Sequence, residues 1–144
     1  MYKRRMEFNV AGPCLPGDHY MLDPLRGIGD ELTDLIRQRH YFVIHAARQS
    51  GKTTLLKQLT RDINTSGEYH ALYCSLEAIQ GCIDPEKAIP EIVNKIKVRL
   101  NEEGLPPGFA KDADYGSILD VLKSSLVSYC RSLDKPLVIF FDEA

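Results

Sequence analysis

The chain is 144 residues long, 44% hydrophobic and 26% charged, with a formal net charge of -2 and a pI near 6.1. That balance belongs to ordinary soluble globular domains and excludes the disordered, fibrous and membrane classes. It also indicates no nucleic-acid partner, because the only basic cluster is Lys3, Arg4 and Arg5, expected to be a solvated N-terminus.

Glu7, Asn9, Gly12 and Pro13 follow that cluster where a signal peptide would need an apolar core, so no export is expected. Up to about Asp23 the chain reads as an extended lead-in over the domain surface, with Gly12, Pro13, Pro16 and Gly17 among few periodic apolar positions. Asp23 then offers an N-cap and Pro24 a first helical residue for a stripe of Leu25, Ile28, Leu32, Leu35 and Ile36. Gly27 and Gly29 weaken its first turns, which allows the start to slip to Asp30.

Residues 41–45 read Y-F-V-I-H, the pattern of a short strand covered on both faces. A glycine-containing turn follows, then a helix carrying Leu55, Leu56, Leu59 and Ile63 until residues 64–67 break the spacing. A second strand is expected at 69–76. Asp84-Pro85 can open a helix with Ile89, Ile92, Val93, Ile96 and Leu100 on one face, unless Pro90 marks its start or a kink. Residues 103–116 are dense in Gly, Pro and Asp and read as a long loop with the length of a mobile or functional surface.

Ser117 and Asp120 resemble a capping box before a stripe of Ile118, Leu119, Leu122, Leu126, Tyr129 and Leu133. A third strand at 137–141 delivers Asp142; its apolar run falls far short of the roughly 20 residues that cross a bilayer. Strands alternating with amphipathic helices predict an α/β fold with a mainly parallel sheet, and the expected location is cytoplasmic. Cys14, Cys74, Cys82 and Cys130 show no C-x-x-C pair and read as reduced thiols; with His19, His40, His45 and His70 scattered, no metal site made of protein side chains alone is expected.

Ala46, Ala47, Arg48, Gln49, Ser50, Gly51, Lys52 and Thr53 fit the phosphate-binding pattern G-x-x-x-x-G-K-[ST] everywhere but at the first position, where alanine replaces glycine. Alanine is tolerable there if its φ is negative. Gly51 lets the backbone approach phosphate oxygens, and successive N-H groups with the positive end of the next helix form an anion nest. Lys52 supplies a charge for the β- and γ-phosphates of ATP, and the Thr53 hydroxyl is a hard oxygen ligand for Mg2+. Thr54 closes the cradle but points away from the metal if Thr53 is the ligand.

Residues 137–143, L-V-I-F-F-D-E, match a Walker B strand. Asp142 is then the magnesium-holding carboxylate, and Glu143 is placed to orient the attacking water and accept its proton. Lys52 and Glu143 are accordingly the expected catalytic pair.

With these two motifs and the lead-in F-N-V-A-G-P at 8–13 followed by H-Y-M at 19–21, the chain resembles bacterial AAA-like ATPases of the additional-strand P-loop class. The resemblance implies a three-layer αβα P-loop NTPase fold with strand order 5-1-4-3-2, a fourth strand lying between the P-loop and Walker B strands. Strands beyond Walker B have no counterpart within residues 1–144, so an incomplete domain is expected, either a truncated product or one half of a split ATPase. Poor stability alone is expected too, with recovery when the missing C-terminal half or a protein partner is supplied.

The implied function is ATP binding and, in the complete domain, magnesium-dependent hydrolysis serving a switch or motor. Tyr20 and Met21 lie where related ATPases bring the lead-in near adenine, either stacking there or anchoring the segment. Two other readings remain open at this point: a P-loop kinase acting on a small molecule, and a nucleotide-binding remnant working as a non-catalytic interaction module.

Overall fold

The structure, a computed structural model, describes residues 6–8, 17–47, 50–111 and 117–143, the side chain of Leu119 excepted. In chain order its elements are α1 (Gly29–Arg37), α2 (Lys52–Ser66), β1 (His70–Ser75), a 3-10 turn (Glu77–Ile79), α3 (Pro85–Glu102), α4 (Ile118–Ser132) and β2 (Leu137–Asp142). The architecture is mixed α/β, a two-stranded parallel sheet packed against helices. Two compact units, Met1–Asp62 and Ile63–Ala144, meet at a boundary inside α2. No helix among the described residues is long and apolar enough to cross a membrane.

In the first unit, the described parts of the lead-in pair locally. The Glu7 amide donates to the Asp18 carbonyl at 3.0 Å and the Tyr20 amide to the Glu7 carbonyl at 2.9 Å, while the Phe8 and Tyr20 rings meet at 4.9 Å. The cluster of Lys3, Arg4 and Arg5, most of the F-N-V-A-G-P segment and Cys14 lie outside the described residues. Asp23 does not cap a helix; its carboxylate accepts from the Leu25 amide at 3.0 Å and holds a turn. The helix begins at Gly29 because Gly27, at φ 84, has a left-handed backbone that no right-handed helix contains. Leu32 and Ile36 form its buried stripe.

The strand expected at 41–45 is not formed. Residues 41–47 form no β-ladder among the described residues, and Tyr41 and Val43 stand exposed. A β-prone run becomes a strand only when a neighbour accepts its backbone groups, and local propensity does not supply one.

The second unit holds the sheet. β1 and β2 pair in parallel with His70 opposite Leu137, Leu72 opposite Ile139, Tyr73 opposite Phe140 and Ser75 opposite Asp142. Flanking bonds run from the His70 amide to the Pro136 carbonyl at 2.9 Å and from the Leu76 amide to the Asp142 carbonyl at 2.8 Å. Alternation sends Leu72 and Cys74, both fully buried, into a core with Ile96 and Leu100 of α3, Phe109 and Tyr129. Ala71, Phe140 and Asp142 on the opposite face are also buried, which is why β2 reads as a nearly continuous apolar run.

Side chains close the outer edge of β1. Asn64, in the last turn of α2, accepts from the Ala71 amide at 2.8 Å and donates to its carbonyl at 3.0 Å. Arg99 of α3 donates to the Tyr73 carbonyl at 3.0 Å. Asp84 caps α3 as expected, accepting from the Glu86 amide at 3.1 Å with Pro85 at the first helical position. The helix continues through Pro90. The loop after α3 is tied down over its described part: Tyr129 donates to the Pro106 carbonyl at 2.7 Å, and Phe109 is buried. Residues 112–116 of the same loop lie outside the description.

Candidate nucleotide and magnesium site

Gly51 makes a left-handed turn at the start of α2. Gly51 sits at φ 86, and an added Cβ there would meet nothing within 4 Å. Its carbonyl accepts from the Leu55 amide at 2.9 Å, so Gly51 is the N-cap and Lys52 the first residue of α2. A glycine cap brings no side-chain oxygen to the first amides, and the first turn carries no acid. The first turn of α2 therefore adds no acidic side chain of its own to the positive end of the helix.

Ser50 donates its amide to the Ala47 carbonyl at 3.2 Å. Lys52, Thr53 and Thr54 are half-buried, whereas Ala46 and Ala47 are exposed. Among the described non-glycine residues, left-handed φ occurs at Arg39, Ala110 and Glu143; Ala46 is not one of them, which meets the condition for alanine at that position. Arg48 and Gln49 lie outside the described residues.

In the second unit, β2 ends on Asp142, which is 2% exposed. One carboxylate oxygen, Oδ2, accepts from the Tyr73 hydroxyl at 3.0 Å, and Oδ1 accepts from the Glu143 amide at 3.1 Å. Glu143 is exposed and turns sharply at φ 62, a left-handed backbone that costs a side-chain-bearing residue about 1–3 kcal/mol. The turn follows the last residue of the strand. A cleft of about 130 Å³ at the same end of β1 is lined by Ser75, Leu76, Asn94 and Lys95 among others. This volume is below the roughly 300 Å³ at which ligand pockets begin, so no nucleotide is assigned to it.

The structure brings Tyr73, Asp142 and Glu143 together in the second unit; Gly51, Lys52, Thr53 and Thr54 belong to the first. Tyr73 was missed at the sequence level. No local pattern signals it, because its link to Asp142 comes from the register that pairs Ser75 with Asp142 and so puts Tyr73 on the same sheet face.

Other titratable groups nearby are structural. Burial pushes the Cys74 thiol up to about 11, against the opposing pull of Arg99 and Lys95, which makes it an inert core thiol. On the surface, the His70 ring bonds Asp134 at 2.8 Å and holds that carboxylate below its ordinary range. Among the described residues no group of three or more His, Cys, Asp and Glu side chains could hold a metal by itself. No protein-family model matches this chain, and no curated protein or solved structure matches it significantly.

Proposed function

We propose that this chain binds ATP with magnesium and that its site serves magnesium-dependent hydrolysis, in a P-loop domain of the AAA-like kind, acting as a switch or motor. The observation that carries the reading is the passage through Gly51 into α2. In the sequence G-K-T, a left-handed glycine with open space around it leads directly into a helix N-terminus free of acids. Phosphate recognition calls for that combination, because amides and helix dipole favour an anion and the first turn supplies no acidic side chain of its own to repel it.

The donor chemistry fits the two ligands. Lys52 answers the β- and γ-phosphates; Thr53 in the first unit and Asp142 in the second are each a hard-oxygen group of the kind magnesium prefers, a carboxylate of this kind typically acting through water. Magnesium when bound neutralises charge on the phosphates. The carboxylate of Glu143 is exposed at the strand end, in reach of solvent, as a group that orients water must be. Strand order lends further support, since in the AAA-like arrangement the Walker B strand lies beside the second strand, and β2 pairs in parallel with β1.

Calorimetric titration of ATP with magnesium into the protein and into Lys52→Ala, each checked for folding by circular dichroism, tests the proposal. Saturable binding by the wild type that is lost in the variant is expected. A folded wild type without binding, or binding indifferent to Lys52, overturns it.

A further inference from the structure

We propose that Tyr73 is the positioning residue of the magnesium site, its phenol on the neighbouring parallel strand orienting the Asp142 carboxylate toward the metal. The inference rests on the function proposed above and adds a residue to it. Tyr73 and Ser75 lie on one face of β1, and Ser75 is the register partner of Asp142. Tyr73 is therefore the diagonal neighbour of Asp142, at a separation that a long aromatic side chain spans and a short one does not. Its hydroxyl closes the gap with a 3.0 Å bond to Oδ2.

The Glu143 amide takes the other oxygen at 3.1 Å. These two donors, on different oxygens and from two different chain segments, restrain both the plane and the rotamer of the carboxylate. Such orientation matters for a cation that demands near-ideal octahedral geometry.

The chemistry of the donor also matters. Asp142 is 98% buried, and a buried carboxylate needs hydrogen bonds. A lysine or arginine in place of Tyr73 would satisfy it but cancel the negative charge that attracts the metal. A phenol supplies the hydrogen bond and leaves the charge in place. The hydroxyl of Tyr73 thus solves the burial of Asp142 in a way compatible with metal binding.

The test is Tyr73→Phe, which keeps the ring and removes the donor, with Tyr73→Leu as a second shape, both checked by circular dichroism. ATP affinity is measured by calorimetry without metal, in EDTA, and across a magnesium series. Metal-free ATP affinity is expected to stay within about twofold of wild type while the half-saturating magnesium concentration rises about tenfold, the effect of losing an outer hydrogen bond to a metal ligand. In an Asp142→Asn background the same change is expected to shift magnesium dependence no further.

An unchanged magnesium requirement, an equal loss of affinity in EDTA, or failure of both variants to fold would make the hydroxyl purely structural and overturn the assignment. If the wild type itself shows no Lys52-dependent ATP binding, the proposed function falls and this inference with it. Binding by wild type with no magnesium shift in Tyr73→Phe defeats the inference alone.

Discussion

Phe109 meets Tyr129 edge-on, ring centroids 5.6 Å apart, and through that contact the segment after α3 becomes part of the core. Tyr129 follows Val121 and Ser125 at successive turns of one face of α4, all three buried, so the pair is fastened to the buried side of that helix. Phe109→Ala is expected to cost about 3–5 kcal/mol in urea unfolding. Tyr129→Phe, which loses the 2.7 Å bond to the Pro106 carbonyl, should cost about 1 kcal/mol. Equal small effects for both would mean that the segment is not anchored.

Asn64 stands in for a missing strand partner by bonding both main-chain groups of Ala71. Asn64→Ala is therefore expected to destabilise the protein by about 1–3 kcal/mol, since it leaves an amide and a carbonyl without their partner. It should also increase association through the opened edge of β1, seen as concentration-dependent sedimentation. Asn64→Asp, retaining the acceptor and losing the donor, should fall between the two.

At Gly51, strain and crowding can be separated. Because a Cβ has open space but the backbone is left-handed, Gly51→Ala should lower stability by about 1–2 kcal/mol through conformation alone. Gly51→Asn should lower it less, as asparagine tolerates that region. Thermal or urea unfolding of the two variants checks the order; a larger loss in asparagine would point to a steric cause.

Cys74 makes alkaline stability predictable in sign. Unfolded, its thiol loses its proton near the ordinary thiol value of 9.0, whereas in the fold it holds it to about 11. Between those values the unfolded chain binds fewer protons, so stability must fall as pH rises. Cys130 and Tyr129, both raised mainly by burial, act in the same direction. Urea unfolding from pH 8 to 11 should show the decline, on the order of 1–3 kcal/mol from Cys74. Cys74→Ala should be less stable at pH 8 but flatter with pH. Stability that rises over this window would contradict the placement of Cys74.

Much of the second unit was legible in the sequence because its signals are local. The caps of α3 at Asp84 and Pro85, the helical stripes ending in Leu100 and Leu133, and the apolar runs of β1 and β2 appear in the structure within a residue or two of expectation. Gly51 before Lys52 announced the start of α2, whereas the helix runs through Asn64 to Ser66, past the break expected at residues 64–67. Asp142 at the end of an apolar run foretold a carboxylate at a strand tip.

What tertiary structure decided are the relationships that join distant residues. Residues 41–45 have as much β propensity as 137–141, yet only the latter form a strand, because pairing with 70–75 is available to them. Whether Asn64 ends a helix in solvent or closes a sheet edge depends on the position of Ala71, and no spacing rule contains that. The sequence separation of 69 between Tyr73 and Asp142 hides their hydrogen bond from any local pattern. Periodicity, caps and turn glycines act over a few residues and are written in the sequence by themselves; parallel pairing, edge closure and the orientation of a buried carboxylate come from register, which exists only once the chain has folded.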